Sequence, residues 1–311
     1  MEKLHHETAV DTAVTHRIWE AQIPLQISLS PDEIPSLGGQ GSANPSISHY
    51  LLLHRCSYLS LISSTVRQFF ARNARLLIAQ HDDAEIWYSY KGTPLKWHHP
   101  VGLLCDYHLG TETNGAGAVP LPWYITVHFS NFPTVELIRM QPKQHLETAR
   151  DSFMSLVKEA DYLRNGTIKR VMGLSKNDQT QLWDALVSHN YNAFWDVNSQ
   201  LVTQENSIPK YIPLRIHILG RAVIQEPVPS VDDNLDKEYS LHDVLGRLIP
   251  DVFGGGPEDA AEGGFAPSAE RKPAAILHGI VIPLDTPILW LSRNCSYPDG
   301  FLHFVVRNHI S

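Results

Sequence analysis

Phe153-Met154-Ser155-Leu156-Val157-Lys158-Glu159-Ala160-Asp161 carries its apolar residues at helical rather than strand spacing. The period predicts an amphipathic helix from about Lys143 to Arg164. At about 100° per residue, Leu146, Ala149, Phe153, Leu156, Val157, Ala160 and Leu163 gather on one side. Lys158 then projects roughly 150° from the middle of that stripe, toward solvent. Outward from this helix, residues 141–202 read as helical throughout. Asn165-Gly166 is a stop signal. A second helix is expected over Lys176–His189, with Leu182, Trp183 and Leu186 apolar, and a further turn within Asn190–Leu201.

Both flanks change to strand chemistry. On the N-terminal side, Val10, Ala13, Val14 and Arg17-Ile18 allow a short amphipathic helix, and Ile18–Leu29 reads as a first strand. A loop over Ile34–Pro45 precedes the apolar run Tyr50–His54 and a helical stretch over Tyr58–Ala71. Glu85–Tyr90 alternates, Pro100-Val101-Gly102 marks a change of direction, and Gly110–Pro120 is loop. Leu121–Phe129 is the most strand-like segment, with Trp123, Ile125, Val127 and Phe129 on one face. Strand, strand, helix, strand, strand is the order of a β-grasp. On the C-terminal side the order recurs: Ile212–Leu219 alternates, and Gly220–Gln225 returns as its hairpin partner. Ser240-Leu241-His242-Asp243 has the form of a capping box opening a helix through Phe253, and Ala274–Leu284 and Gly300–Arg307 read as strands. The fold expected is α+β: two ubiquitin-like β-grasp domains flanking a helix-rich domain, with a short N-terminal helix. The domains expected are 1–16, 17–140, 141–205 and 206–311, the last carrying a low-complexity insertion at 254–273.

Composition narrows the function classes. At 311 residues the chain is too long for one comfortable core, and 43% apolar with 19% charged is an ordinary globular balance. No run of eighteen apolar residues is present, and the start has no apolar h-region, which argues against secretion. A net charge of -8 speaks against a general nucleic-acid binder. Cys56, Cys105 and Cys295 are odd in number and widely spaced, which indicates neither a disulfide framework nor a zinc site and fits a reducing compartment.

Three motifs in combination resemble one family. FMSLVKEADYL, with LKWHHPVGLL (95–104) before it and QLWDALVSHNYNAFW (181–195) after it, is similar to the autophagy protein 5 family. The resemblance runs from about Ile18 to Val306 and leaves out the loops at 35–47, 109–119, 226–239 and 254–273. His99 and Cys105 stand where the family usually has aromatics. The resemblance implies a non-catalytic scaffold whose lysine at the KEAD position, here Lys158, is joined by an isopeptide bond to the ubiquitin-like autophagy-related protein 12. It implies E2-like partners, autophagy-related proteins 10 and 3, and a coiled-coil partner, autophagy-related protein 16, in a groove between the three domains. The conjugate would act like an E3, promoting lipidation of the autophagy-related protein 8 modifier during autophagosome formation. Its place would be the cytoplasm and, peripherally, the preautophagosomal or isolation membrane.

The residues themselves offer competing chemistry. An ammonium must lose its proton to attack a thioester, and Glu159 and Asp161 favour the charged form, so activation of Lys158 falls to a conjugating enzyme. Without a modifier, Lys158 would be an ordinary solvated charge on a non-covalent adaptor. A thioester-forming ligase would use Cys105 with His99 or His108 as base, but a cysteine in the apolar run GLLCDY is better read as core. His98-His99, neighbours whose side chains diverge on an extended segment, make no metal site, and neither metal nor cofactor is assigned. Trp97, Trp123 and Trp183 read as core. Gly254-Gly255-Gly256 lacks the Lys-Ser/Thr of a phosphate loop. Arg67, Arg72 and Arg75 form an ordinary solvated face, with contact to anionic lipid the less favoured reading.

Overall fold

The computed structural model describes residues 10–33, 47–73, 85–110, 120–202, 208–232, 237–254 and 273–307. The loop expected at Ile34–Pro45, Arg75, Gly255 and Gly256, and all but the ends of Gly110–Pro120 and of 254–273 lie outside them. Two compact units emerge: Trp19–Ser155, and Leu156–Ser311 together with the residues up to Ile18.

Helix α1 spans Thr12–Glu20 and β1 Gln22–Leu29. The helix runs on through residues expected to begin a strand. Asp11 Oδ1 caps it, accepting from the backbone N–H of Ala13 and Val14, and the helical turn at its end buries Trp19.

Around β1, the first unit adds β2 (Ser48–His54), α2 (Leu59–Asn73), β3 (Trp87–Tyr90), β4 (Thr93–Pro94), α3 (Val101–Leu109) and β5 (Trp123–His128). The strands form one sheet in the order β2-β1-β5-β3-β4, with β1 and β5 parallel, which is the β-grasp arrangement. The expected inner face of β5 is buried at Trp123, Ile125 and Val127, against Leu59, Val66 and Phe70 of α2. Lys91 and Gly92, both at positive φ, make the tight β3–β4 turn. Helix α3 stands where only a change of direction was expected. Val101, Leu103, Leu104 and Cys105 are buried around its circumference, so no one-sided stripe announces it. Buried Asp106 of α3 accepts a hydrogen bond from half-buried Arg55, and Gly102 is required there because a Cβ would lie 2.9 Å from the Arg55 carbonyl oxygen.

Helix α4 runs His145–Asn165, and the division between the units falls within it. It ends at Gly166, whose φ of +68° bears out the stop signal. Then come α5 (Lys169–Gly173), α6 (Lys176–Val187) and α7 (Tyr191–Val202), a full helix where a single turn was expected. Helix α6 begins with a capping box between Ser175 and Asp178.

The second sheet comes from β6 (Tyr211–Ile218), β7 (Ile224–Pro229), β10 (Ala274–Leu277), β11 (Ile280–Val281) and β12 (Leu302–Arg307), in the order β11-β10-β12-β6-β7 with β12 and β6 parallel. A small ribbon of β8 (Val231–Asp232) and β9 (Lys237–Glu238) precedes α8 (Leu241–Leu248), α9 (Pro250–Phe253) and, before β12, α10 (Ile288–Asn294). The β6 return begins at Ile224 rather than Gly220, because Gly220, at φ +76°, belongs to the turn. The Ser240–Asp243 capping box forms as expected. The expected single helix breaks at Ile249, since the residue before a proline is driven out of helical geometry. Ala274–Leu284 folds back on itself at His278-Gly279, both at positive φ, giving a hairpin instead of one strand.

Candidate functional site: the lysine helix

The face that α4 buries is rotated from the expected stripe. Ala149, Phe153, Val157 and Ala160 are buried, but so are Met154, Asp161 and Arg164, whereas Leu146 is exposed and Leu156 and Leu163 are only half-buried. The rotation comes from polar groups that periodicity discounts. Asp161 accepts hydrogen bonds from Asn165 Nδ2 at 2.7 Å and from the backbone N–H of Val171 at 3.1 Å, which ties α4 to α5. Arg164 donates to the carbonyl of Gly300 at 3.0 Å, and burial lowers its guanidinium to about 10, with Asp161 opposing. Lys158 stands one turn from both Met154 and Asp161, so it is half-buried at the margin of the packed face, not turned fully outward as expected.

Glu159 and Asp161, the two carboxylates nearest in sequence to Lys158, are engaged elsewhere. Glu159 Oε2 lies 3.0 Å from Arg215 Nη2 on β6, and its Oε1 accepts from Gln225 Nε2 on β7 at 2.6 Å. Arg215 is itself fixed by Gln225 Oε1 at 2.6 Å and by the Phe301 ring, 4.1 Å from its guanidinium carbon. Close approach of the loop before β12 depends on Gly300: φ is +86°, and a Cβ would lie 2.9 Å from that of Ala160. Among the described residues, Lys158 Nζ has no hydrogen-bond or ion-pair partner. The local geometry therefore holds the backbone of Lys158 firmly and leaves its amine uncommitted. Arg215 and Gln225 are missing from the sequence reading. A cue exists, because the alternation of IPLRIHIL puts Arg215 on the face opposite Leu214 and Ile216, where an arginine needs a partner.

The thiols present a different picture. Cys105 is buried on α3; burial pushes it up to about 12, with Asp106 adding to the shift and Arg55 opposing it. Burial likewise pushes Cys295 up to about 12, and Cys56 is buried. A reactive thiol needs the opposite surroundings. His98 and His99 sit in a turn with ring centroids 4.7 Å apart, not diverging along a strand. His108 packs against Tyr90 at 5.7 Å. Trp97, Trp123 and Trp183 are buried, as expected of core residues. Gly254 caps α9 through its N–H to Pro250.

Three family models cover most of the chain: the UblA domain of autophagy protein ATG5 over residues 18–129, its alpha-helical bundle region over 146–204 and its UblB domain over 211–306. The chain belongs to the autophagy protein 5 family. Its two ubiquitin-like domains flank a helical bundle region, and Lys158 falls in the bundle match. Among relatives, Autophagy protein 5 of Phaeosphaeria nodorum is 30% identical over 327 residues, covering 96% of this chain and 97% of that protein. Autophagy protein 5 of Drosophila melanogaster is 32% identical over 300 residues, covering 96% and 98%. The crystal structure of Kluyveromyces marxianus Atg5 shares the fold with a TM-score of 0.72 at 22% identity, over 96% of this chain and 100% of that one.

Proposed function

We propose that this autophagy protein 5 family member is a non-catalytic scaffold whose Lys158 amine becomes joined, through an isopeptide bond, to the C-terminal glycine of autophagy-related protein 12. One observation carries the reading: Lys158 is rigidly placed, while its acidic neighbours Glu159 and Asp161 are bonded to other groups. An acceptor needs that combination, because its amine must enter a conjugating enzyme's site without first breaking an ion pair. The E2-like autophagy-related protein 10 supplies the thioester and the activation. The conjugate then binds autophagy-related protein 16 and works like an E3, presenting autophagy-related protein 3 with its charged autophagy-related protein 8 modifier to phosphatidylethanolamine. The chain works in the cytoplasm and peripherally on the preautophagosomal membrane; no helix among the described residues is long and apolar enough to cross one.

The test is co-expression with the modifier, its activating enzyme and its E2-like enzyme, resolved on a denaturing gel. Wild type should give a band heavier by one modifier, and Lys158→Arg, which keeps the charge but removes the primary amine, should give none. An adduct retained in Lys158→Arg moves the acceptor elsewhere. An adduct lost in Cys105→Ser but kept in Lys158→Arg would favour the thioester ligase. No adduct at all, with active enzymes, leaves a non-covalent adaptor.

A further inference from the structure

We propose that the β2 edge of the first sheet pairs with the same edge of a second copy of this chain, joining two five-stranded sheets across a two-fold axis. The edges of the two large sheets, β2 and β4 in the first and β11 and β7 in the second, are not alike. β4 and β11 are two residues long, and β4 ends in Pro94. β7 carries Pro227, Pro229 and the exposed Glu226. Short length, proline and charge each obstruct the addition of a further strand. β2 has none of these: Ser48-His49-Tyr50-Leu51-Leu52-Leu53-His54 is seven residues long, without proline, acid, lysine or arginine. Burial lowers His49 and His54, with Glu20 opposing at His54, so neither histidine charges the edge at neutral pH. A strand without charge does not repel a copy of itself.

The ladder fixes which backbone groups β2 turns outward. Arg55 N–H donates to the Ala21 carbonyl at 2.8 Å, in the register that continues Gln22 opposite His54. Hydrogen-bonded pairs alternate in an antiparallel ladder, so Ile23–Leu53, Leu25–Leu51 and Ile27–His49 exchange the bonds. Pro24, which has no N–H to give, accordingly stands opposite Leu52. Tyr50 and Leu52 therefore aim N–H and C=O away from β1, and among the described residues nothing pairs with these groups. Their side chains are 64% and 63% exposed on the outer face. A two-fold axis at Leu51 sets Tyr50 opposite Leu52 of the second copy, and Leu52 opposite its Tyr50. Each pair exchanges both backbone bonds, and each covers an exposed aromatic ring with an exposed aliphatic side chain. The strand is its own complement, as a closed two-fold contact requires.

Sedimentation velocity of the full, unconjugated chain from about 2 to 200 µM should show reversible dimerisation, with a Kd on the order of 10–100 µM, the weak class a strand-edge contact belongs to. Leu52→Lys, which plants a charge on the edge, should weaken the dimer about tenfold or more. Leu52→Pro removes an outward N–H that the β1 ladder does not use, and should also weaken it about tenfold. Tyr124→Lys, on the same face but two strands in from the edge, should leave it unchanged. Circular dichroism melts show which variants fold, and either Leu52 variant that folds decides the matter. A chain that stays monomeric up to about 200 µM overturns the pairing, as does a dimer that survives the Leu52 variants. A dimer weakened equally by Tyr124→Lys is a face-to-face stack and overturns it too. None of these failures touches the Lys158 adduct.

Discussion

The two ubiquitin-like domains share a strand order yet treat the outer face of the sheet in opposite ways. In the first domain β5 alternates: Trp123, Ile125 and Val127 are buried, while Tyr124 is 57% exposed and Tyr50 and Leu52 of β2 stand in solvent. In the second, β12 is buried at every position from Leu302 to Val306, and β6 nearly so. There the outer face holds His217 and His303, joined at 3.1 Å, with His303 in turn 2.9 Å from Asp299. The last turns of α4 bond to the outer face of the second sheet through Glu159–Arg215 and close on the neighbouring loop through Ala160–Gly300 and Arg164–Gly300. One topology therefore serves as a half-wet sheet in one place and as an inner layer in the other. What differs is the cover, not the strands.

That contrast can be broken in order of expected effect. Gly300→Ala forces a Cβ against Ala160 and strains a positive φ, so it should cost about 2–4 kcal/mol in denaturant unfolding. The loss should fall on the second domain; proteolysis that opened the first domain equally would contradict the contrast. Val305→Ser, on the covered outer face, should cost about 2 kcal/mol, whereas Tyr124→Ser on the open one should stay within about 0.5 kcal/mol. Equal costs would mean that the two faces do not differ. The smallest effect is a pH slope. Half-burial holds the His128 imidazole below its ordinary value, against the opposing pull of Glu33 and Asp32. His128 also stacks on Trp87 at 3.7 Å and pairs with Ser89 Oγ at 2.8 Å. With the folded value depressed, the unfolded chain binds the proton more readily, so stability is present above about pH 6.5 and falls as the pH drops toward the folded value. His128→Gln should flatten stability measured between about pH 7.5 and 5.5; an unchanged slope would place the titration elsewhere.

How much of this is legible in the sequence follows from the same contrast. β5 is plain to read because one face is wet and the alternation survives. β6 keeps its alternation only because Arg215 and His217 are polar; their partners, Glu159 of α4 and His303 of β12, lie far away in the chain. Helix α3 is buried nearly all round and helix α10 is only seven residues long, so period analysis passes over both. The capping box at Ser240 is visible, and the one at Ser175 carries the same S-x-x-D signal in Ser175–Asp178 unheeded. For the candidate site, the position of Lys158 rests on the resemblance. The Glu159–Arg215–Gln225 clamp is invisible because it joins residues 56 and 66 positions apart in the chain. The burial of Asp161 and Arg164 is not legible, because hydropathy treats charge as solvent-facing.

The clamp beside Lys158 has a mechanical consequence. Glu159 grips two strands of the second sheet at once, so any load applied at Lys158 passes into that sheet within a single residue. A protein attached to the amine would have only the lysine's own few torsions as slack, with no backbone hinge between it and the sheet. It would swing on a short leash and travel as cargo of the second domain.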